Sequence, residues 1–454
     1  MTSAVRALPL QVPGRAPIVW GLSAYLWLLP VHALVIAFLF GALGWSAATV
    51  RAIAAWKETL IAVLAAFAIV RFATWSGPAI TIRWLDLVVA GLFTVSLGYL
   101  VGGNVWFDQG LPALAQLYGF RDAAFVLLLY FVGRATPEAA TSPRYLRGLF
   151  VVGVVTSIIA IIERLLVTPG MLIVLGAARY VQEFLGGGVT TQGNLYGLAD
   201  NYWTALGSHL VRRAGSTYLS GQGFAIPFLL IMPAATLFVT APERARSRLA
   251  WLGYTIVWIG LLLTLTRMTI VACLAQAVVI MGMRRRWTTL VWAAVLGSCL
   301  SVVLLILVPG LGTFIWETVT WQSGSSVTHL RDWRVGLENF GLHPLGVGLG
   351  AAELIAWRFG VTPLAGDNQY LRFAVELGIV GLTLHLAMLA GAVTMGLAAW
   401  RRGRSGMVRD TGLLVAVTAL GVAINAWTAA VFNAMLLTYV FFWLLGSVTT
   451  ASER

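Results

Sequence analysis

Twelve predominantly apolar runs recur along this chain, centred on residues 22–44, 52–71, 84–102, 119–134, 146–166, 223–241, 249–266, 268–283, 287–308, 373–399, 411–428 and 430–448. A helix needs about 20 such residues to cross the hydrocarbon core of a bilayer. The second and eighth runs are short or closely flanked by charge, and the last two are one long run divided at Asn425–Asn433. The pattern predicts an all-α polytopic membrane protein of about twelve transmembrane helices, with residues 1–454 forming a single integral membrane domain. Composition excludes the alternatives: 59% of residues are hydrophobic and 10% charged. Soluble domains carry roughly a quarter charged residues, and disordered chains are far less apolar.

Loop charge sets the orientation. Arg6 and Arg15 precede a first run too long for the core of a cleavable signal peptide, so the N-terminus reads as cytoplasmic and the first span as retained. Arginines then cluster at Arg134/Arg144/Arg147, Arg244/Arg246/Arg248, Arg284/Arg285/Arg286 and Arg401/Arg402/Arg404/Arg409, in alternate loops. With twelve spans every cluster falls on one side, as the positive-inside rule requires, and both termini are cytoplasmic. The net charge of +13 therefore sits in the inward loops and reports topology, not a nucleic-acid partner. Cys273 and Cys299 lie inside apolar runs and read as buried small hydrophobes.

Two outward loops, 167–222 and 309–372, are long and rich in Gly, Trp, Tyr and Arg. Loops of that length are commonly functional or disordered. The first ends in Arg212-Arg213, a pair suited to an anionic headgroup or a phosphate, whose oxygens guanidinium forks bind bidentately. Topological anchoring is the plainer reading of that pair. Arg267 lies between two apolar runs with almost no loop, and an ionisable residue so embedded marks function unless it snorkels to the interface.

In the second loop, residues 325–339 read as an amphipathic helix with a Ser/Thr-type start and Leu330, Trp333 and Leu337 as its apolar stripe. Arg331, Arg334 and Glu338 lie on neighbouring parts of its surface, where mutual pairing is the simple alternative. His343-Pro344-Leu345-Gly346-Val347-Gly348-Leu349-Gly350 follows; alternate glycines allow close backbone approach. A neutral His343 imidazole is able to take a proton from a sugar hydroxyl. His209 and His329 are loop histidines with weaker claims, and His32 and His385 lie within spans. The loop closes on Asp367-Asn368-Gln369-Tyr370, and Glu376 opens the next span, where pairing with Arg267 or Arg372 is its expected role. The sequence carries no HExxH, cysteine cluster, P-loop or GxSxG signature, so neither a metal nor a cofactor is expected.

These features together resemble the O-antigen ligase/polymerase superfamily. The matching stretches are Arg212–Gly215, Thr266-Arg267, His343–Gly350, Asp367–Leu371 and Glu376-x-Gly378-x-x-Gly381, in that order and on one side of the membrane. The topology covers most of the chain and the motifs roughly 50 residues. The resemblance implies a GT-C-type glycosyltransferase of the bacterial inner membrane. It would transfer a glycan from undecaprenyl diphosphate, on the periplasmic face and with inversion, to an acceptor glycolipid. The expected partners are that donor, the acceptor, membrane lipids and a chain-length regulator protein.

On this reading Arg212, Arg213 and Arg267 hold the diphosphate, with Arg331 and Arg334 assisting. His343 is the first choice of base, Glu376 and Asp367 the reserves, and Asn368 and Tyr370 hold the acceptor. The family's ligases often carry His-Asn where this chain has Asp367-Asn368, which favours a polysaccharide polymerase over a ligase that modifies lipid A–core. An anion transporter and a non-catalytic scaffold are the rival classes. A transporter is expected to place its polar groups near the bilayer midplane.

Overall fold

The computed structural model describes residues 15–74, 81–107, 110–188, 197–206, 209–243 and 247–452. Arg6, Arg244 and Arg246, which enter the orientation argument, lie outside them. Among the described residues nine helices are long and apolar enough to cross a membrane: Ile18–Ala42, Ala47–Ala73, Trp84–Gly103, Ala113–Ala135, Pro143–Leu166 (α1), Gly221–Thr240, Trp287–Leu307, Gln369–Arg402 and Gly406–Asn425. Three shorter apolar helices occupy the remaining expected runs: Arg248–Leu263 (α2), Arg267–Met283 (α3) and Met435–Ala451. Gly324–Leu342 is α4, Gln369–Arg402 is α5 and Gly406–Asn425 is α6. Met435–Ala451 is α7. The protein is thus an all-α, multi-pass membrane protein. Its one described sheet is a hairpin of β1 (Trp203–Leu206) and β2 (His209–Arg212), pairing Trp203 with Arg212.

The helix ends sort the charges. Arg134 pairs with Asp86 at 2.9 Å, Arg71 with Glu138 at 2.7 Å, and Arg284 with Asp410, all at one end of the bundle. Arg267 begins α3 and Arg284 follows its last residue. At 1.5 Å per residue that separates them by roughly 25 Å. Arg267, the hairpin and α4 therefore occupy the opposite end.

The centre of the bundle is formed by α7 and Gly221–Thr240, buried along nearly their whole lengths. Gly133 and Gly446 face each other there, and a Cβ on either would collide with the partner backbone. Small residues at such a crossing let helix axes approach closely where lipid offers no hydrophobic drive. Trp287–Leu307 is the opposite case, with none of its apolar window buried in the chain. Cys273 is buried as expected; Cys299, on this helix, is exposed instead. The reason is that an apolar surface in a membrane needs no protein to cover it.

The 309–372 segment holds Leu311–Val319, α4 and Glu353–Arg358. Ser323 caps α4, its Oγ accepting from the Ser326 N–H at 3.2 Å. The expected apolar stripe is split. Trp333 faces the bundle, whereas Leu330 and Leu337 are 46% and 58% exposed. Residues 326, 329, 333, 336 and 340 share the inward face by helical spacing, and small residues decide it: Gly336 lets α4 approach Leu371 of α5.

The glycine-rich stretch docks into a break in α5. At Gly378 the backbone leaves the helical region (φ 64°, ψ −163°). The Val347 and Gly348 N–H groups donate to Val375 O and Glu376 O at 2.8 and 3.0 Å, and Ile379 N–H donates to Pro344 O at 2.9 Å. This backbone region is accessible essentially only to glycine, and a Cβ at Gly378 would meet the Leu345 backbone. Gly378→Ala is therefore expected to destabilise the fold by about 3 kcal/mol or more. Thermal unfolding in detergent checks this; a melting temperature equal to the parent's would mean that the break is not required.

Candidate functional site

The hairpin turns two adjacent arginines in opposite directions, as strand alternation dictates. Arg212 reaches the C-terminal end of α1, donating to Glu163 O at 2.8 Å and Val167 O at 2.7 Å. Those carbonyls stand at the last turn and C-cap of the helix, where Glu163 O also accepts from the Val167 N–H at 3.2 Å. Arg213 turns towards the α2–α3 junction and donates through Nε to Thr264 O at 2.7 Å and through Nη2 to Thr266 Oγ1.

That junction also carries Arg267. Its Nη1 donates to Thr318 Oγ1 at 2.6 Å and Ser323 Oγ at 3.0 Å, and its guanidinium lies 5.0 Å from the centre of the Phe314 ring. Burial, followed by the nearby Arg267 charge, lowers the Arg213 pKa to about 10. Among the described residues neither Arg213 nor Arg267 makes an ion pair. Two neighbouring cations, part-withdrawn from water and without a carboxylate, form a strong site for an anion.

The acidic half of the site comes from α4 and the turn before α5. His329 and Asp332 lie one helical turn apart on α4, and Asp367 immediately precedes the N-cap of α5. Asp367 is exposed to solvent, with His329, Asp332 and Gln222 around its carboxyl. Burial raises its pKa, the His329 charge opposes that rise, Asp332 adds to it, and Gln222 reaches the carboxyl from the side. Burial likewise lowers His329, against the pull of Asp367 and Asp332 and with the push of Arg267. Its Nδ1 is buried without a hydrogen-bond partner. Asp332 is raised, first by burial. The charges thus link Arg213 to Arg267, Arg267 to His329, and His329 to Asp332 and Asp367.

An aromatic wall stands beside it. Trp321 and Trp333 are 5.3 Å apart, Trp333 and Trp427 5.9 Å, and Trp427 and Tyr370 5.1 Å, centroid to centroid. Trp427 is 53% exposed. Flat, half-wet rings of this kind suit the apolar face of a sugar.

Other residues singled out by sequence stand elsewhere. His343 is the C-cap of α4, exposed, fourteen residues beyond His329 and so about 20 Å along the axis. Arg331 and Arg334 lie on the outward face of α4, where Arg334 pairs with Glu338 at 2.7 Å. Glu376 does not pair with Arg267. Its buried carboxylate accepts from the Gly350 and Ala352 N–H groups at 3.0 and 3.3 Å and from Arg372 Nε at 3.4 Å. It therefore clamps the glycine-rich stretch to α5.

Asn368 Oδ1 caps α5 by accepting from the Tyr370 and Leu371 N–H groups, both at 3.0 Å, while its Nδ2 donates to Trp427 O at 3.1 Å. Tyr370 donates its hydroxyl to Ala423 O at 2.7 Å. Both residues position Asp367 and Trp427. Asn368→Ala is expected to cost about 1 kcal/mol, as loss of an N-cap does, and to lower turnover by disturbing Asp367. Parallel unfolding and activity measurements check this, and unchanged turnover would separate the cap from the site. Sequence reasoning underrated His329 and missed Asp332, Gln222 and Trp427; the i, i+3 spacing of His329 and Asp332 was the available signal.

Among the described residues no group of three or more His, Cys, Asp and Glu side chains is placed to hold a metal ion.

Residues 252–386 match a family model described as O-antigen ligase. The matched stretch contains Arg267, His329, Asp332, Asp367 and the docked glycine-rich segment, whereas Arg213 precedes it. No curated protein matches the chain. The domain supports the O-antigen ligase/polymerase superfamily. The match also supports a polymerase or ligase role in O-antigen biosynthesis, and the family in general implies lipid-linked glycan and acceptor glycolipid substrates.

Proposed function

We propose, from the match of residues 252–386 to an O-antigen ligase family and the charged groups within that stretch, that this chain is a polysaccharide polymerase of the bacterial inner membrane. It acts on the periplasmic face, both termini being cytoplasmic. It transfers a glycan from undecaprenyl diphosphate to a hydroxyl of a carrier-linked acceptor sugar. The observation that carries this reading is the pair of part-buried arginines without carboxylate partners, Arg213 and Arg267, with His329 feeling the charges of both Arg267 and Asp367.

The chemistry follows from that arrangement. The acceptor oxygen attacks the anomeric carbon while the bond from that carbon to the diphosphate oxygen breaks. Asp367 takes the hydroxyl proton, and His329 favours its ionised form. Arg213 and Arg267 stabilise the negative charge that develops on the leaving diphosphate, where preorganised donors act most strongly. One displacement with nucleophile and leaving group on opposite faces inverts the anomeric centre. Trp333 and Trp427 supply a stacking surface for sugar rings. A chain-length regulator is a further expected partner.

Asp367-Asn368 in place of the His-Asn pair of many ligases supports the polymerase reading. Reconstitution with a carrier-linked oligosaccharide, with and without lipid A–core, tests it. A ladder on the carrier is the expected result. A shift of lipid A–core alone would assign a ligase, and uptake of small anions without either product would assign a transporter.

A further inference from the structure

A second cationic cavity lies apart from the site above and shares no residue with it. Its volume is about 440 Å³, within the range of roughly 300–1,000 Å³ usual for ligand sites. Arg51, Lys57, Arg121 and Arg358 line it, with Glu58 as its acidic residue. An adjoining cavity of about 210 Å³ shares Lys57, Arg121 and Arg358 and adds Asp122.

The ion pairs within these cavities leave charge over. Lys57 lies 3.1 Å and Arg121 3.8 Å from Glu58, and Arg121 lies 2.6 Å from Asp122. Among the described residues Arg51 and Arg358 have no ion-pair partner. Yet both are drawn to one place: their guanidinium carbons lie 5.8 and 5.9 Å from the centre of the same Phe184 ring. Arg358 donates to Phe184 O at 3.0 Å and sits 4.8 Å from the centre of the Tyr118 ring, which Arg121 also approaches at 4.6 Å. Gathering like charges in this way is costly unless an anion joins them.

Apart from His32, Tyr118 and Tyr180 the rest of the wall is apolar. Leu100, Leu117, Phe120 and Phe125 line the same cavity. Leu117 is 51% exposed, and its neighbours Leu114 and Val101 are 58% and 80% exposed, so the apolar side opens on the membrane-facing surface. A charged head and an apolar tail are therefore accommodated together. A free phosphate would use only the first.

We propose that this cavity binds a phosphate-bearing lipid, its head between Arg51 and Arg358 and its chain along Leu117. The proposal does not depend on the glycosyl-transfer reading. It is tested on the purified full chain by native mass spectrometry and by fluorescence titration with a labelled polyprenyl phosphate. The double variant R51Q/R358Q is expected to lose one bound lipid per chain and to weaken that binding at least tenfold, with an unchanged melting temperature. L117W, which fills the apolar side and keeps the charges, is expected to displace the same lipid. Wild-type stoichiometry and affinity in either folded variant would overturn the proposal. So would equal binding of an uncharged polyprenol. Inorganic pyrophosphate that binds as tightly as the lipid and is indifferent to L117W would overturn it in favour of a soluble phosphate.

Discussion

Arg267→Ala and Arg213→Ala are each expected to reduce product formation by about 10²–10³-fold, the usual effect of removing one preorganised donor from a developing oxyanion. Each guanidinium has part of its fork fixed by protein: Arg213 by Thr264 O and Thr266, Arg267 by Thr318 and Ser323. The remaining N–H groups are thereby oriented for a ligand. A lysine at either position keeps the charge and loses the fork, so R267K is expected to recover only part of the activity. Arg267 begins α3 and Arg213 follows β2, neither of them in the packed core, so the variants should insert and fold normally. Turnover measured at matched amounts of folded protein decides the matter. If both alanine variants run within threefold of the parent, the diphosphate site lies elsewhere.

Asp367→Asn is expected to lower turnover by about 10²–10⁴-fold, the range for loss of a general base. The pH profile identifies the group more sharply. A base works in its deprotonated form, so activity rises with pH through the Asp367 pKa. Burial raises that pKa, so the acid limb should lie above the ordinary carboxylate value of about 3.9. His329 opposes the rise. Removing it in H329Q should therefore move the limb to still higher pH. His343→Ala should leave the limb in place, because His343 is exposed at the far end of α4. An H343A protein that loses activity beside an active D367N would return the base to His343.

The apolar runs were enough to read the architecture, because a bilayer demands long apolar helices whatever they pack against. All twelve runs are helical, and the charged clusters described at the bundle end away from Arg267 are those that loop charge had put on one side. Details set by side-chain facing were not legible. Leu330, Trp333 and Leu337 look like one stripe in sequence, but the small residues Ser326 and Gly336 rotate α4 so that Trp333 alone of the three turns inward. The same rotation brings His329 and Asp332 to the site and turns Arg331 and Arg334 away.

The sequence by itself determined the helical class and the arginine-rich end of the bundle, and it singled out Arg213, Arg267 and, as a reserve base, Asp367 as candidates. These follow from local chemistry: the transfer of apolar residues into lipid, and the cost of placing an ion near it. Only the tertiary structure decided which charges meet. Arg212 and Arg213 are neighbours in the chain and point to different partners. Glu376 serves a loop twenty-six residues away, and Arg51 and Arg358 flank one ring from opposite ends of the sequence. Electrostatic interaction depends on distance and dielectric, and neither is written in residue order.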